Sequence, residues 1–146
     1  MPEITNIALS KYRLEKAADM LASAKRDMGA KDYASANNRA YYCIFHAMRA
    51  VLALDGEDYR KHSAVIARFT QGYLKTELLP REYGRLITNA SLIRNRSDYE
   101  DFYICSLEDT HLLMDGAEKF LKTITEYLMP YWGTNEQHVE RSEDET

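Results

Sequence analysis

From Ile7 to Met28, apolar or small residues recur every three or four positions: Ile7, Ser10, Leu14, Ala17, Leu21, Ala24 and Met28. That spacing lays them along one side of a helix. The pattern predicts a first helix, with Gly29 in the position just past its end that favours left-handed backbone. Asp32 is suited to cap a second helix by accepting from an N–H of its first turn. This helix is predicted to run to about Asp55, with Gly56 after it. From Ala40 to Leu54 it is apolar almost all round, through Tyr41, Cys43, Ile44, Phe45, Ala47, Met48, Val51 and Leu52. Such a helix lies at the centre of a bundle or in an interface between subunits. Its polar exceptions, Arg39, Tyr42, His46 and Arg49, are three or four apart and share one stripe.

Ser63 is read as the cap of a shorter helix carrying Val65, Ile66, Phe69 and Tyr73. Pro80 is read as the start of a fourth, with Tyr83, Leu86, Ile87, Ala90 and Ile93 inward. Around Ser97 the apolar spacing breaks, which predicts an end or a kink. Ser106 is positioned to cap a last helix with Leu107, Met114, Ala117, Leu121, Ile124 and Leu128 inward. Asp115–Lys119 and Glu118–Lys122 form pairs four apart on its outer face, and Pro130 is expected to end it. No segment alternates like a strand, and no repeat is visible. The expectation is an all-α, up-and-down bundle of four to five helices over residues 1–132. A polar tail, 133–146, is expected to be disordered, because it buries too little apolar area to offset its ordering entropy.

The composition fits this picture. The 146 residues, 45% apolar and 29% charged, suit one domain with a real core. No stretch has the length and apolarity of a membrane span, and Met1-Pro2-Glu3 lacks the basic flank and apolar core of a secretory signal. The expected location is therefore cytoplasmic, with no membrane contact. Cys43 and Cys105 sit in apolar helical patterns and are read as buried thiols, not as a disulfide framework or a zinc site. The net charge of −4 resides in residues 133–146, which leaves the body neutral. Within the body, residues Arg60 to Arg96 carry a net +6 over 37 positions, and Asp98, Glu100, Asp101, Glu108 and Asp109 follow at once. Such asymmetry suits an anion or nucleic-acid site, or a solvated face whose counter-charges lie across the fold.

Familiar catalytic signatures are absent: there is no Gly-rich phosphate loop, no paired-histidine metal motif and no cysteine pair at metal spacing. His46, His62, His111 and His138 are scattered. One cluster stands out, Ile93-Arg94-Asn95-Arg96-Ser97-Asp98-Tyr99. Arginine holds phosphate through its planar, two-pronged donor fork. Asp98, four residues on, is placed to orient Arg94 if the helix persists. The same spacing also suits an ordinary capping and salt-bridge cluster.

Three blocks resemble a known family. Asn38-Arg39-Ala40-Tyr41-Tyr42-Cys43-Ile44-Phe45-His46-Ala47 resembles the helix signature of the HEPN superfamily, the higher eukaryotes and prokaryotes nucleotide-binding domains. Lys61-His62-Ser63-Ala64-Val65-Ile66 with Phe69, and Arg94-Asn95-Arg96-Ser97-Asp98-Tyr99, are similar to the second and third blocks of its small stand-alone prokaryotic branch. The resemblance covers roughly residues 8 to 128. It implies a helical bundle that forms homodimers and is often encoded beside a nucleotidyltransferase antitoxin. It also implies metal-independent ribonuclease activity in many members, with no cofactor. The superfamily's ribonuclease motif is an arginine, a polar residue and, some positions on, a histidine. Arg94 and Asn95 match its start, whereas Tyr99 stands where the histidine would be, a substitution common in this branch.

As a ribonuclease toxin, the chain would use Arg94 on the scissile phosphate, Asn95 as a further donor, Asp98 to orient Arg94, and His46, His62 or Tyr99 as proton acceptor. Arg39, Lys61, Arg94 and Arg96 would attract RNA. As a non-catalytic module, it would use the same arginines to hold a nucleotide, an RNA end or a nucleotidyltransferase. As an interaction subunit, its apolar second helix would serve dimerisation. Whether His46 or His62 converges on Arg94 discriminates between these readings.

Overall fold

The computed structural model describes residues 2–100 and 106–144, with side chains to residue 133. Its elements are α1 (Ile4–Gly29), α2 (Tyr33–Leu54), α3 (His62–Phe69), α4 (Tyr83–Tyr99) and α5 (Leu107–Asp144). A wide π-type turn, Thr70–Leu74, extends α3. No strand occurs among the described residues. The fold is an all-α helical bundle, as the periodicity predicts.

The predicted seam of α1 is buried from Ile7 to Ala24, and Arg13 is buried with it. Its small members, Ser10, Ala17 and Ala24, are buried, and among the described residues α1 packs most extensively on α2. There Ala36, Ala40, Cys43, Ala47 and Ala50 are wholly buried. Side chains this short let two backbones approach closely, and the Ser10 hydroxyl donates to the Ala50 carbonyl at 2.8 Å. The larger α2 residues, Tyr41, Ile44, Met48, Val51 and Leu52, fill the centre with Val65, Phe69, Phe120, Ile124 and Leu128. Each fully buried aliphatic side chain contributes about 1.5–3 kcal/mol. Because α1, α3, α4 and α5 all pack on α2, its apolar circumference is used within the chain.

Two expected caps are present: Asp32 accepts from the Ser35 amide at 3.2 Å, and Ser106 from the Asp109 amide at 3.0 Å. Gly56, at φ +78°, follows α2 as expected. Other expectations need correction. The fourth helix begins at Tyr83, three residues after Pro80. The left-handed residue after α1 is Lys31, at φ 63°, not Gly29. Ser63 lies inside α3, whose N-cap residue is Lys61. Leu107 is exposed at the start of α5, where Thr110, Leu113 and Phe120 are buried instead. Pro130 does not end α5. Beyond it, the Trp132 indole N–H donates to the Ser10 hydroxyl at 3.3 Å, tying the helix to α1. Residues 133–144 of the tail expected to be disordered continue α5; the side chains of 134–146 and Cys105 lie outside the described residues.

On the outer face of α5, Glu118 pairs with Lys25 of α1 at 3.0 Å rather than with its own helix. No described helix is long and apolar enough to cross a membrane.

Candidate functional site

On α2, Tyr41 and Phe45 are four residues apart and Tyr42 and Phe45 three, so their rings leave the helix on neighbouring faces. The chain turns at Gly56 and re-enters a helix at His62, the first residue of α3. The His62 imidazole stacks on Phe45, with centroids 4.1 Å apart and planes at 24°. Its Nδ1 lies 2.7 Å from the Tyr41 hydroxyl. From α4, Arg94 completes the cluster. Its Nη1 is 3.2 Å from the same Nδ1, and its Nη2 donates to the Tyr42 hydroxyl at 3.3 Å. The guanidinium carbon lies 5.0 Å and 5.5 Å from the ring centres of Tyr41 and Tyr42, within cation–π range. Asp98, one turn further along α4, stands 3.6 Å from Arg94 Nε. That is an ion pair too long for a hydrogen bond, and the buried Nε has no hydrogen-bond partner.

This network assigns the state of His62. A guanidinium only donates, so Nδ1 must present its lone pair to Arg94. The Tyr41 hydroxyl then donates to the same nitrogen, and the ring proton sits on Nε2. Burial lowers the His62 pKa, and the charges of Arg94 and Arg49 lower it further. The imidazole is therefore neutral at neutral pH, with a basic nitrogen turned toward an arginine. Burial raises the Tyr41 pKa despite the opposing charge of Arg94, so that phenol stays protonated.

His46 lies one turn along α2, its ring 5.9 Å from Tyr42 and 5.7 Å from Phe45. It does not reach Arg94. Burial, then the charges of Lys16, Arg49, Arg13 and His62, push its pKa down to about 4. Below it, Arg49 and Arg13 share one oxygen of Asp58 at 2.7 Å and 2.9 Å.

The structure thus brings together Arg94, Asp98 and His62, and leaves other expected residues apart. Tyr99 does not join Arg94 and Asp98 at the centre. It is the last residue of α4 and 80% exposed, because five helical steps turn a side chain roughly 140° away. Asn95 and Arg96 point outward from α4, while Arg39 and Lys61 are exposed on α2 and before α3. Tyr41, Tyr42, Arg13 and Asp58 were not singled out as site residues in the sequence. Tyr42 carries a signal, since it shares the polar stripe of α2. Arg13 carries another, a charged residue in register with an apolar seam. Asp58 sits in a loop and carries none. Among the described residues, no group of three or more His, Cys, Asp or Glu side chains is arranged to hold a metal ion.

The family described as the HEPN domain matches residues 10–127. The chain is 31% identical over 117 residues to "Putative toxin MJ0605" of Methanocaldococcus jannaschii, covering 76% of this chain and 87% of that one. It is 30% identical over 113 residues to a "UPF0332 protein" of Thermotoga maritima, covering 77% and 86%. A second M. jannaschii protein, "Putative toxin MJ0142", is 28% identical over 116 residues, covering 80% and 79%. The matched span takes in all three helices that build the Arg94–His62 site, and the chain belongs to the HEPN domain family.

Proposed function

We propose that this protein is a toxin of the HEPN family that cleaves RNA without a metal ion. The observation that supports this reading is the approach of His62 Nδ1 to Arg94 at 3.2 Å. It joins a phosphate-binding group to a neutral base, where the linear motif offered only a tyrosine. The names of two similar proteins as toxins agree with it.

The chemistry follows from the hydrogen bonds. Arg94 Nη1 donates to a neutral imidazole, a weaker acceptor than a phosphate oxygen. A bound phosphate draws the guanidinium fork to itself, and as the Tyr41 O–H turns to the same phosphate the Nδ1 lone pair is released. The ribose 2′-hydroxyl then gives its proton to Nδ1 while its oxygen bonds to the adjacent phosphorus. The bond from phosphorus to the 5′ oxygen breaks, and that oxygen takes a proton from water. The products are a 2′,3′-cyclic phosphate and a 5′-hydroxyl. Arg94 stabilises the charge that builds on the phosphoryl oxygens, Asp98 orients Arg94, and Tyr41 and Phe45 hold the imidazole in place.

Induced expression in a naive host tests the reading. Wild type is expected to arrest growth and fragment RNA, whereas Arg94→Ala and His62→Ala, folded and equally abundant, do neither. If Arg94→Ala abolishes toxicity and RNA binding while His62→Ala keeps both, a non-catalytic binding module, for RNA or for a nucleotidyltransferase partner, replaces the ribonuclease.

A further inference from the structure

A second set of cations lies beside the Arg94–His62 pair and takes no part in the chemistry above. His46, one turn from Tyr42, feels the charges of Lys16, Arg49 and Arg13. Arg13 and Arg49 are joined through Asp58, the carboxylate that both contact. Two polar atoms here are shielded from solvent without a hydrogen-bond partner: Arg49 Nε and His46 Nδ1. On the outer edge, Lys16 stands 5.1 Å from the ring centre of Tyr12, and Tyr12 is 53% exposed. A cation beside an exposed aromatic face suits single-stranded nucleic acid, in which phosphates alternate with stacking bases.

The rings between the two sets form a continuous wall. Tyr42 is 5.8 Å from His62 and 5.9 Å from His46. Phe45 is 4.1 Å from His62, and the Arg49 guanidinium lies 5.8 Å from the Phe45 ring centre. Arg94 and Arg49 thus flank one short aromatic strip, each with its own histidine.

We propose that Lys16, Arg49 and His46 form a second phosphate subsite, so that a single strand of RNA lies across Tyr42 with one phosphate at Arg94 and a neighbouring one at Arg49. This inference rests on the ribonuclease reading and names how its substrate is held. Asp58 pairs with Arg49 and competes with the incoming phosphate. Tyr12 offers its face to a base beyond the subsite.

The test uses the full chain and a 2′-O-methyl oligouridylate of about a dozen nucleotides, which binds but lacks the attacking hydroxyl. Binding is followed by fluorescence anisotropy over a range of salt concentrations. Lys16→Glu, at an exposed position, is expected to weaken binding about tenfold at low salt and to flatten the salt slope by about 1. Asp58→Asn is expected to tighten binding severalfold by releasing Arg49. Opposite effects from two charge changes in one patch cannot come from misfolding. If both variants bind like wild type while Arg94→Ala binds weakly, the subsite is wrong and the ribonuclease reading stands. If wild type binds no RNA, both fall.

Discussion

His62 and His46 are both held neutral, with different consequences. For His62, the neutral form is the base, and its pKa lies below the ordinary imidazole value. Cleavage is therefore expected to be complete at neutral pH and to fall only below about pH 6.5. The charge of Arg94 and its hydrogen bond to Nδ1 both favour the neutral ring, so Arg94→Ala is expected to raise the His62 pKa, measurable by NMR titration of the ring proton. An unchanged value would mean that the two groups are not coupled in solution. For His46, the folded pKa of about 4 lies below that of the unfolded chain. The unfolded state then binds the extra proton first, so this stabilisation is complete above about pH 6.5 and is lost as pH falls toward 4. Allowing for solvent screening of a partly buried ring, the loss between about pH 7 and pH 5 is about 1 kcal/mol. Thermal melts of wild type and His46→Gln at the two pH values are expected to show the variant losing less.

The helix ends show where local sequence is decisive and where it is overruled. Gly29 has the composition of a left-handed terminus, but the chain stays helical there, a Cβ would meet nothing within 4 Å, and the strained backbone falls on Lys31. Gly29→Ala is therefore expected to stabilise the fold by about 0.5–1 kcal/mol. Lys31→Gly should stabilise it by a similar amount through relief of its positive φ. Chemical denaturation reads both, and destabilisation by Gly29→Ala would restore the sequence-based assignment. The seams of α1 and α2 and the caps Asp32 and Ser106 were legible because periodicity and short-range hydrogen bonds are local. Pro130 misled because a proline costs helix stability only until tertiary contacts such as Trp132 to Ser10 offset it. The Arg94–Asp98 pair was legible for the same local reason, four residues on one helix. The approach of His62 to Arg94 was not, since it joins residues 32 positions apart through the packing of α3 and α4 on α2.

For the whole molecule, the expected homodimer loses its original motive, because the apolar second helix is covered within one chain. Exposed apolar residues remain elsewhere: Leu92 and Tyr99, seven apart on one face of α4, are 48% and 80% exposed. If this face joins two copies, sedimentation is expected to give about twice the 16.9 kDa chain mass, and Leu92→Glu to halve it. A clean monomer for wild type at micromolar concentration would end the dimer proposal. The central claim, a metal-independent ribonuclease built on Arg94 and His62, is tested most directly by incubating purified protein with single-stranded RNA in excess chelator and analysing the new ends. The account predicts fragments ending in 2′,3′-cyclic phosphate, formed by wild type at least a hundredfold faster than by His62→Ala. Intact RNA with wild type, or equal cleavage by the two proteins, would contradict it.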